Sequence, residues 1–393
     1  MSSLLSPEHQ VTYSRCMESL EGLKLDKLAS EQSFPKQAWL ELCNTALLRS
    51  SSKQAQHSAH KPSTLFLDIA IKAYAIAQHT QSLGLAMTII GQELKLYFLD
   101  TPGTSTIHRE CSSQIAAGGA LCALAISEPG AGAHPKHLNC AADRDGDDYL
   151  ISGEKTYVTH GPYADWFIVL AITERTTTGK AQSKKEFSAF LLPRNTPGLN
   201  IKAMTVDSVL EPVAHANLHL DQCRVPKENL LGGYGLAFDE LSKPMRSLED
   251  VLMQCAIAGA LQGKLDRLAP SRDNQDDMAK LGHILCLTEA ATKLGIMAAE
   301  SLDHSGHHND PVALILGFRT LANEAAVQLR DYLLARNTLA QNTTKNTAQD
   351  AAEDLQGNIS GDAVFKDIEL LMTIGSGATG LKVAKLAQQF YAR

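Results

Sequence analysis

The sequence predicts an α+β multidomain fold, with an N-terminal helical domain at 1–120, a central β-domain at 121–237 and a C-terminal helical bundle at 238–393. Three observations predict it. Apolar residues follow the helical period over the first ~120 residues, turn to a strand pattern from Cys122 to about Phe238, and return to the helical period afterwards. A chain of 393 residues is also long enough for two or three packed domains.

Composition and charge exclude several classes of function. The formal net charge of −7 argues against nucleic acid as a partner, since phosphate binding needs a basic surface. The eight cysteines include no CxxC pair, which favours free thiols in a reducing compartment, so we expect a cytoplasmic protein. We expect neither a signal peptide nor a membrane span, because the N-terminal residues form no apolar leader and no run approaches ~18 apolar residues.

The N-terminal part predicts three helices and a loop. Phe34-Pro35 opens one helix, and the ranges 65–81 and 83–98 have the period of a longer, more apolar pair. The range 50–63 is polar and contains proline, which is typical of a surface loop.

The most informative stretch lies at 126–165, within the predicted β-domain. The turn Glu-Pro-Gly-Ala-Gly at 128–132 ends a strand and leaves backbone amides close to whatever binds there. Asp145-Gly146 predicts a hairpin turn. In the next strand Tyr157 and Thr159 share one face, which suits a flat heteroaromatic ring with polar edges, although an ordinary sandwich strand explains the same residues.

Further strands are predicted downstream of this stretch. The apolar runs at 166–172, 187–192 and 215–220 have strand character, and the charged range 173–186 between the first two predicts a surface loop.

Three motifs resemble the acyl-CoA dehydrogenase family in order and spacing: SEPGAG at 127–132, GEKTYVTHG at 153–161 and DQCRVPKENLLGGYGLAF at 221–238. The resemblance implies an N-terminal helical domain, a β-domain and a C-terminal four-helix bundle, with FAD bound between the last two. It implies oxidation of an acyl-CoA thioester to its α,β-enoyl form. It also implies that Ser127 bonds the flavin ring edge, and that Tyr157 and Thr159 pack on and bond its far side.

The resemblance also indicates a catalytic base. Most of the family carries this glutamate in a late Tyr-Glu-Gly-Thr motif, whereas the isovaleryl-type enzymes carry it earlier as Leu-Glu-Arg. Here the residues are Leu248-Glu249-Asp250, and aligning the helix at 258–262 with the family places Glu249 at the earlier position. Asp250 is a like charge that we expect to raise the pKa of Glu249, although two solvated acids at a helix N-terminus explain the pair equally.

The C-terminal part departs from the family where FAD contacts are expected. The family's Arg-x-x-Phe-Gly has no counterpart in 270–277 beyond Arg272, and Met372 replaces the glutamine of the adenine-side loop. Weaker FAD binding is the expected result. The range 375–380 formally matches GxGxxG, but no second strand pattern follows it, so it does not predict a Rossmann fold.

Helical runs at 278–302, 312–339 and 348–373 complete the predicted bundle. A cluster of possible metal ligands lies between the first two. Its spacing fits no zinc pattern, so a polar loop without a metal is predicted for Asp303, His304, His307, His308 and Asp310.

The sequence thus favours an FAD-dependent enzyme acting on acyl-CoA or a related thioester, a homodimer or homotetramer, with an electron acceptor that the residues do not identify. Two alternatives stay open. One is a flavoprotein of the same fold with a non-CoA substrate, such as a nitroalkane or an acyl-carrier-linked group. The other is a non-catalytic member that has lost FAD and acts as a binding or scaffold subunit.

Overall fold

The computed structural model describes residues 4–21, 34–44, 64–100, 105–178, 182–205, 209–268, 274–305, 311–344 and 362–373. The chain divides into two compact units, which share the long helices at their boundaries. The first, the helical unit, comprises 1–22, 62–87 and 250–393, and the second, the sheet unit, comprises 23–61 and 88–249. The three-domain division predicted from the sequence stays a prediction.

Helices flank a block of strands in chain order. The helices are α1 (Pro7–Glu21), α2 (Lys36–Asn44), α3 (Leu65–Thr80), α4 (Leu83–Leu99), α5 (Thr106–Ala116), α6 (Lys243–Asp266), α7 (Gln275–Ser305), α8 (Val312–Thr344) and α9 (Ala363–Thr373). The strands are β1 (Cys122–Ala125), β2 (Ala141–Asp145), β3 (Asp148–Thr159), β4 (Trp166–Thr178), β5 (Gln182–Pro193), β6 (Leu199–Ala203), β7 (His215–Pro226) and β8 (Leu230–Leu231). The mixed helix and sheet content agrees with the α+β fold class.

The sheet unit is built on one mixed sheet in the order β6-β7-β3-β2-β4-β5-β8, with β1 parallel to β4. The run 166–172 of β4 is buried throughout, as its continuous apolar sequence predicts for a strand covered on both faces. On β7 the residues Ala216, Leu218 and Leu220 are buried, whereas the alternate residues are not. This period of two directs one face of β7 into the core and turns the other face away from it.

Two expectations within the sheet are wrong. Residues 173–178 and 182–186 were predicted as part of a surface loop at 173–186 but belong to β4 and β5, which pair out to Thr178 and Gln182; residues 179–181 lie outside the described residues. The hairpin between β2 and β3 is closed by Gly146 and Asp147 rather than by Asp145-Gly146, since Asp145 pairs with Asp148. Gly146 alone of the two loop residues has a positive φ, +66°. The first loop position has a positive φ and therefore favours glycine. Gly146 occupies that position, and Asp145 is the last residue of β2 rather than part of the loop.

In the helical unit, α6 packs closely on α3 at two glycines. A Cβ on Gly259 would lie 2.2 Å from the carbonyl oxygen of Tyr74, and one on Gly263 would lie 2.2 Å from that of Gln78. Residues four apart share a helix face, so these glycines form a continuous contact stripe. Arg267, one turn further, donates a hydrogen bond to the Gln78 carbonyl at 3.0 Å.

The predicted polar loop after α7 is only partly described. The Asp303 carboxylate accepts hydrogen bonds from the backbone N–H groups of Phe66 and Leu67 at 3.0 and 2.9 Å, which satisfies free donors at the start of α3. The metal-ligand candidates His307, His308 and Asp310 lie outside the described residues, as do the predicted loop at 50–63 and the GxGxxG match at 375–380.

Among the described helices, one segment is long and apolar enough to cross a membrane by length and composition alone, Val312–Arg336 of α8. One such helix is weak evidence, because core helices of water-soluble proteins have the same properties. Its Arg319 donates to the Asp250 carboxylate at 2.5 Å in an ion pair within the helical unit. The expectation of no membrane span stays a prediction.

Candidate functional site

A buried ion pair fixes the turn at 128–132 against strand β3. Lys155 Nζ donates to Glu128 Oε1 at 2.9 Å and to the carbonyl of Ile126 at 3.0 Å. The same carboxylate accepts the backbone N–H groups of Asn139 and Cys140 at 2.6 and 3.0 Å. A buried charge needs such compensation, and here it locks the turn in place. The sequence analysis did not predict this ion pair, although Glu128 and Lys155 are opposite charges within two motifs of otherwise strand-like sequence.

The turn presents open backbone, as its glycines predict. Gly130 and Gly132 have φ of +71° and +56°, which side-chain-bearing residues rarely adopt. Within the described residues, no heavy atom lies within 4 Å of a Cβ built on either glycine. Their conformation and the space around them allow close approach of a ligand to the main chain.

Tyr157 lies in a β-bulge and is strongly exposed. The pairing of β3 with β7 slips between Lys155 and Val158, and Tyr157 at this slip has φ +52°. A bulky residue with positive φ is an outlier that the surrounding structure must hold, and such residues cluster at functional sites. Its side chain is 63% exposed. The bulge thus presents an aromatic ring to the outside, and the packing of Tyr157 on a flavin stays a prediction.

Ser127 and Thr159 lie near this bulge. The Ser127 carbonyl accepts the backbone N–H of Thr156 at 2.9 Å, which ties the end of β1 to the residue before Tyr157. Thr159 is half-buried and pairs with His215 on β7. Ser127 is also half-buried. The three predicted cofactor residues therefore lie just after β1 and on the adjoining end of β3, a region that we call the Ser127–Thr159 edge.

Glu249, the predicted base, lies in the second turn of α6 and is half-buried. Burial raises the pKa of its carboxyl group, and the positive charge of Lys95 on α4 opposes that rise. Lys95 is buried, and burial lowers its pKa, while Cys122 and Glu249 act to raise it. Its ammonium group donates to the Gly91 carbonyl at 3.0 Å. Glu249 is thus a carboxylate in a poorly solvated place, with a buried cation as its electrostatic partner.

The expected influence of Asp250 on Glu249 is wrong. Asp250 instead forms the ion pair with Arg319, and its charge is not among the causes of the Glu249 pKa shift. Neighbouring residues of a helix point about 100° apart, so the two carboxylates enter different surroundings. The reading of Glu249 and Asp250 as two solvated acids is excluded too, because neither is exposed.

Lys95 also links Glu249 to the Ser127–Thr159 edge. His160, directly after Thr159, is buried, and its Nε2 lies 3.0 Å from the hydroxyl of Thr88 on α4. Burial lowers the pKa of His160 to about 3, with Lys95 and His215 adding to the effect. Lys95 therefore interacts with both Glu249 and His160. The sequence analysis missed Lys95, although a lone lysine in the apolar run of α4 was a visible signal.

The residues present on the Ser127–Thr159 edge suit a flavin ring. They offer open main chain, an exposed aromatic face and two hydroxyl groups, which match a flat ring with polar edges. Of the predicted adenine-side positions, Arg272 lies outside the described residues. Met372 lies in α9, and its carbonyl accepts a hydrogen bond from Arg319 at 3.3 Å.

Comparison with known proteins gives one family and a set of relatives. Residues 123–223 match the model of the acyl-CoA dehydrogenase middle domain. The chain is 32% identical over 170 residues to the mitochondrial short-chain specific acyl-CoA dehydrogenase of Rattus norvegicus, which covers 42% of this chain and 40% of the relative. It is 29% identical over 228 residues to the cyclohex-1-ene-1-carbonyl-CoA dehydrogenase of Geobacter metallireducens, covering 53% and 56%. The aligned parts thus span about half the length of these relatives.

Solved structures extend the likeness to the whole fold. A putative acyl-CoA dehydrogenase from Mycobacterium smegmatis has a TM-score of 0.76 at 18% identity, with 98% of each chain covered. The FAD complex of PigA has a TM-score of 0.74 at 18% identity, also with 98% of each chain covered. At this identity the likeness concerns the fold.

Proposed function

Since this chain belongs to the acyl-CoA dehydrogenase family, we propose that it is an FAD-dependent enzyme that dehydrogenates an acyl-CoA thioester between its α- and β-carbons. The observation that carries the proposal is Glu249. Its carboxyl group is half-buried, its pKa is raised by burial, and a buried lysine lies within electrostatic reach. Perturbed carboxyl groups of this kind are typical of catalytic bases.

The proposed role of Glu249 is to accept the α-proton of the thioester. Burial makes its carboxylate a stronger base than a solvated one, because the raised pKa brings its proton affinity closer to that of the weak carbon acid. Lys95 opposes the rise, so it favours the ionised form that must be present before the proton moves.

The Ser127–Thr159 edge has the second role, to hold the cofactor. Ser127 and Thr159 supply hydroxyl groups for the ring's polar atoms, and Tyr157 supplies an aromatic surface. FAD, when bound there, supplies the acceptor for the hydride that leaves the β-carbon. The Glu128–Lys155 ion pair keeps the turn and strand in a fixed arrangement, so the edge is formed before the cofactor arrives.

The test is anaerobic flavin bleaching. Protein reconstituted with excess FAD is titrated with a series of acyl-CoA thioesters of different chain length, and with the same acyl groups on an acyl carrier, while visible absorbance is followed. We expect wild type to bleach with at least one thioester, and Glu249→Gln to slow that reaction by about 10²–10⁴, the contribution of general base catalysis. Glu240→Gln is the matched control, since it makes the same change to an exposed carboxylate just before α6.

Each outcome has a distinct meaning. Equal bleaching rates for Glu249→Gln and wild type would show that Glu249 is not the base. Wild type that binds FAD but bleaches only with a thioester on an acyl carrier would favour the non-CoA alternative. Wild type that is colourless once unbound FAD has been removed would contradict the proposal and favour the non-catalytic alternative.

We also infer a homodimer or homotetramer working in fatty acid metabolism in the cytoplasm. Met278, Leu285 and Met297 of α7 are about 40% exposed and give the helical unit an apolar surface that a second subunit would cover. All eight thiols are free, which suits a reducing compartment. Light scattering over a wide concentration range tests the assembly, and a monomer throughout would contradict it. Cell fractionation tests the location.

A further inference from the structure

His215, which no prediction assigned, borders two residues of the Ser127–Thr159 edge. It is the first residue of β7 and pairs directly with Thr159 across the antiparallel ladder. Its ring centroid lies 6.4 Å from that of Tyr157, at an interplanar angle of 74°. Directly opposed residues of neighbouring strands project from the same face of a sheet, so His215 and Thr159 face the same side.

The His215 imidazole has unused hydrogen-bonding capacity. Its Nδ1 is buried and has no hydrogen-bond partner among the residues that the structure describes. Burial lowers its pKa below the ordinary value of 6.5, so the ring is neutral at pH 7, with one N–H donor and one acceptor nitrogen. Buried polar atoms are nearly always paired in native proteins, so an orphaned one calls for an explanation such as a bound ligand.

A second histidine on the same face shows the contrast. His219 lies four residues further along β7, so it shares the face of His215. Its side chain is exposed and lies 3.7 Å from the Glu154 carboxylate. His219 therefore behaves as an ordinary surface residue, whereas His215 lies partly buried beside the Tyr157 ring, with a nitrogen that has no hydrogen-bond partner among the described residues.

We propose that His215 is a further ring-binding residue, an uncharged hydrogen-bonding group that contacts the polar edge of the flavin between Tyr157 and Thr159. The inference rests on the proposed function, which supplies the flavin as the ligand. The ring's carbonyl oxygens and nitrogens match the donor and acceptor of a neutral imidazole. A neutral group at this place adds a hydrogen bond without placing a positive charge beside the ring.

The test measures FAD affinity and the visible spectrum of bound FAD for wild type and three variants, without turnover. His215→Phe keeps an aromatic ring and removes both nitrogens, while His215→Gln and His215→Asn restore an amide at the level of Nε2 or Nδ1. We expect His215→Phe to bind FAD about 10-fold more weakly, as for one lost hydrogen bond, with a shifted flavin absorption band. At least one amide variant should recover most of the affinity.

His219→Phe is the matched control and should bind as wild type does, and circular dichroism of all variants checks that they fold. The proposal is overturned if His215→Phe matches wild type in affinity and spectrum. It is also overturned if both amide variants are as weak as His215→Phe, because shape rather than hydrogen bonding would then explain the loss. Wild type that binds no FAD would instead refute the proposed function itself, and this assignment with it.

Discussion

The interaction between Lys95 and Glu249 makes the sharpest prediction, because it joins the proposed base to a lysine that the sequence patterns did not identify. Four proteins form a double-mutant cycle: wild type, Lys95→Met, Glu249→Gln and the double variant. Methionine keeps most of the volume of the lysine side chain and removes its charge. Interaction free energies between residues of one electrostatic network are about 0.5–3 kcal/mol, and Lys95 and Glu249, which form no ion pair within 4.0 Å in the described part of the chain, should fall in the lower half of that range.

The pH dependence of this interaction follows from the directions of the two pKa shifts. The folded-state pKa of Glu249 is raised above 4.5, so its contribution to stability is greatest below 4.5 and is lost as pH rises through the folded value. The folded-state pKa of Lys95 is lowered from 10.5, so its charged form costs stability as pH falls. Their attraction needs both groups charged, and Glu249 is mostly protonated at pH 4.5, below its raised folded-state pKa. The coupling free energy should therefore be weaker at pH 4.5 than at pH 7.5.

The assay is urea unfolding of all four proteins at the two pH values, with no cofactor added. A coupling below about 0.5 kcal/mol at pH 7.5, or one of equal size at both pH values, would refute the reasoning. An independent readout uses the reconstituted enzyme. In wild type the bleaching rate should increase with pH as Glu249 ionises. In Lys95→Met this increase should occur at higher pH, because Glu249 has lost the positive charge that lowers its pKa. An unchanged profile would show that Lys95 does not influence the base.

Three further predictions concern the scaffold. Gly259→Ala should lower the free energy of unfolding by about 1–3 kcal/mol, because the added methyl group overpacks the contact between α6 and α3. Gly282→Ala is the control: its added methyl group meets open space, and its higher helix propensity should raise the free energy of unfolding by up to about 1 kcal/mol. Equal melting temperatures of the two variants would contradict the close packing of α6 on α3. Lys155→Met should lower the free energy of unfolding in urea by about 3 kcal/mol, because it leaves the buried Glu128 carboxylate without its cation. This is the lower end for a broken buried ion pair, since Glu128 keeps its two backbone N–H donors. Adding Glu128→Gln should restore part of the loss. Ellman's reagent should titrate one thiol, Cys286, in the folded protein and all eight after unfolding, and rapid reaction of several would contradict the burial of the others.

Much of the fold could be predicted from the sequence, because its elements are long and strongly periodic. The predicted helices at 65–81 and 83–98 correspond to α3 and α4, and the apolar run at 166–172 forms the buried part of β4. The ranges 173–178 and 182–186 were predicted wrongly as loop, because their charged and polar residues resemble one. In the structure β4 and β5 supply each other's hydrogen-bond partners there, so strand pairing rather than a hydrophobic pattern extends the two strands.

The candidate site also has features that the sequence predicts and features that it does not. Ser127, Tyr157 and Thr159 could be singled out from strand alternation and motif resemblance, and the structure places them on one edge. The bulge that gives Tyr157 its positive φ has no local signal, because it arises from a mismatch in register with a strand about sixty residues later.

The sequence by itself determined which residue types are available and which elements carry them: a carboxylate on α6, a lysine on the apolar helix α4, and aromatic and hydroxyl groups on one strand. Only the tertiary structure decided which charges meet. Asp250, the chain neighbour of Glu249, pairs with Arg319, while Lys95, more than 150 positions away, is the cation that acts on Glu249. The physical reason is that the strength of an electrostatic interaction depends on distance in space and on burial, and neither follows from distance along the chain.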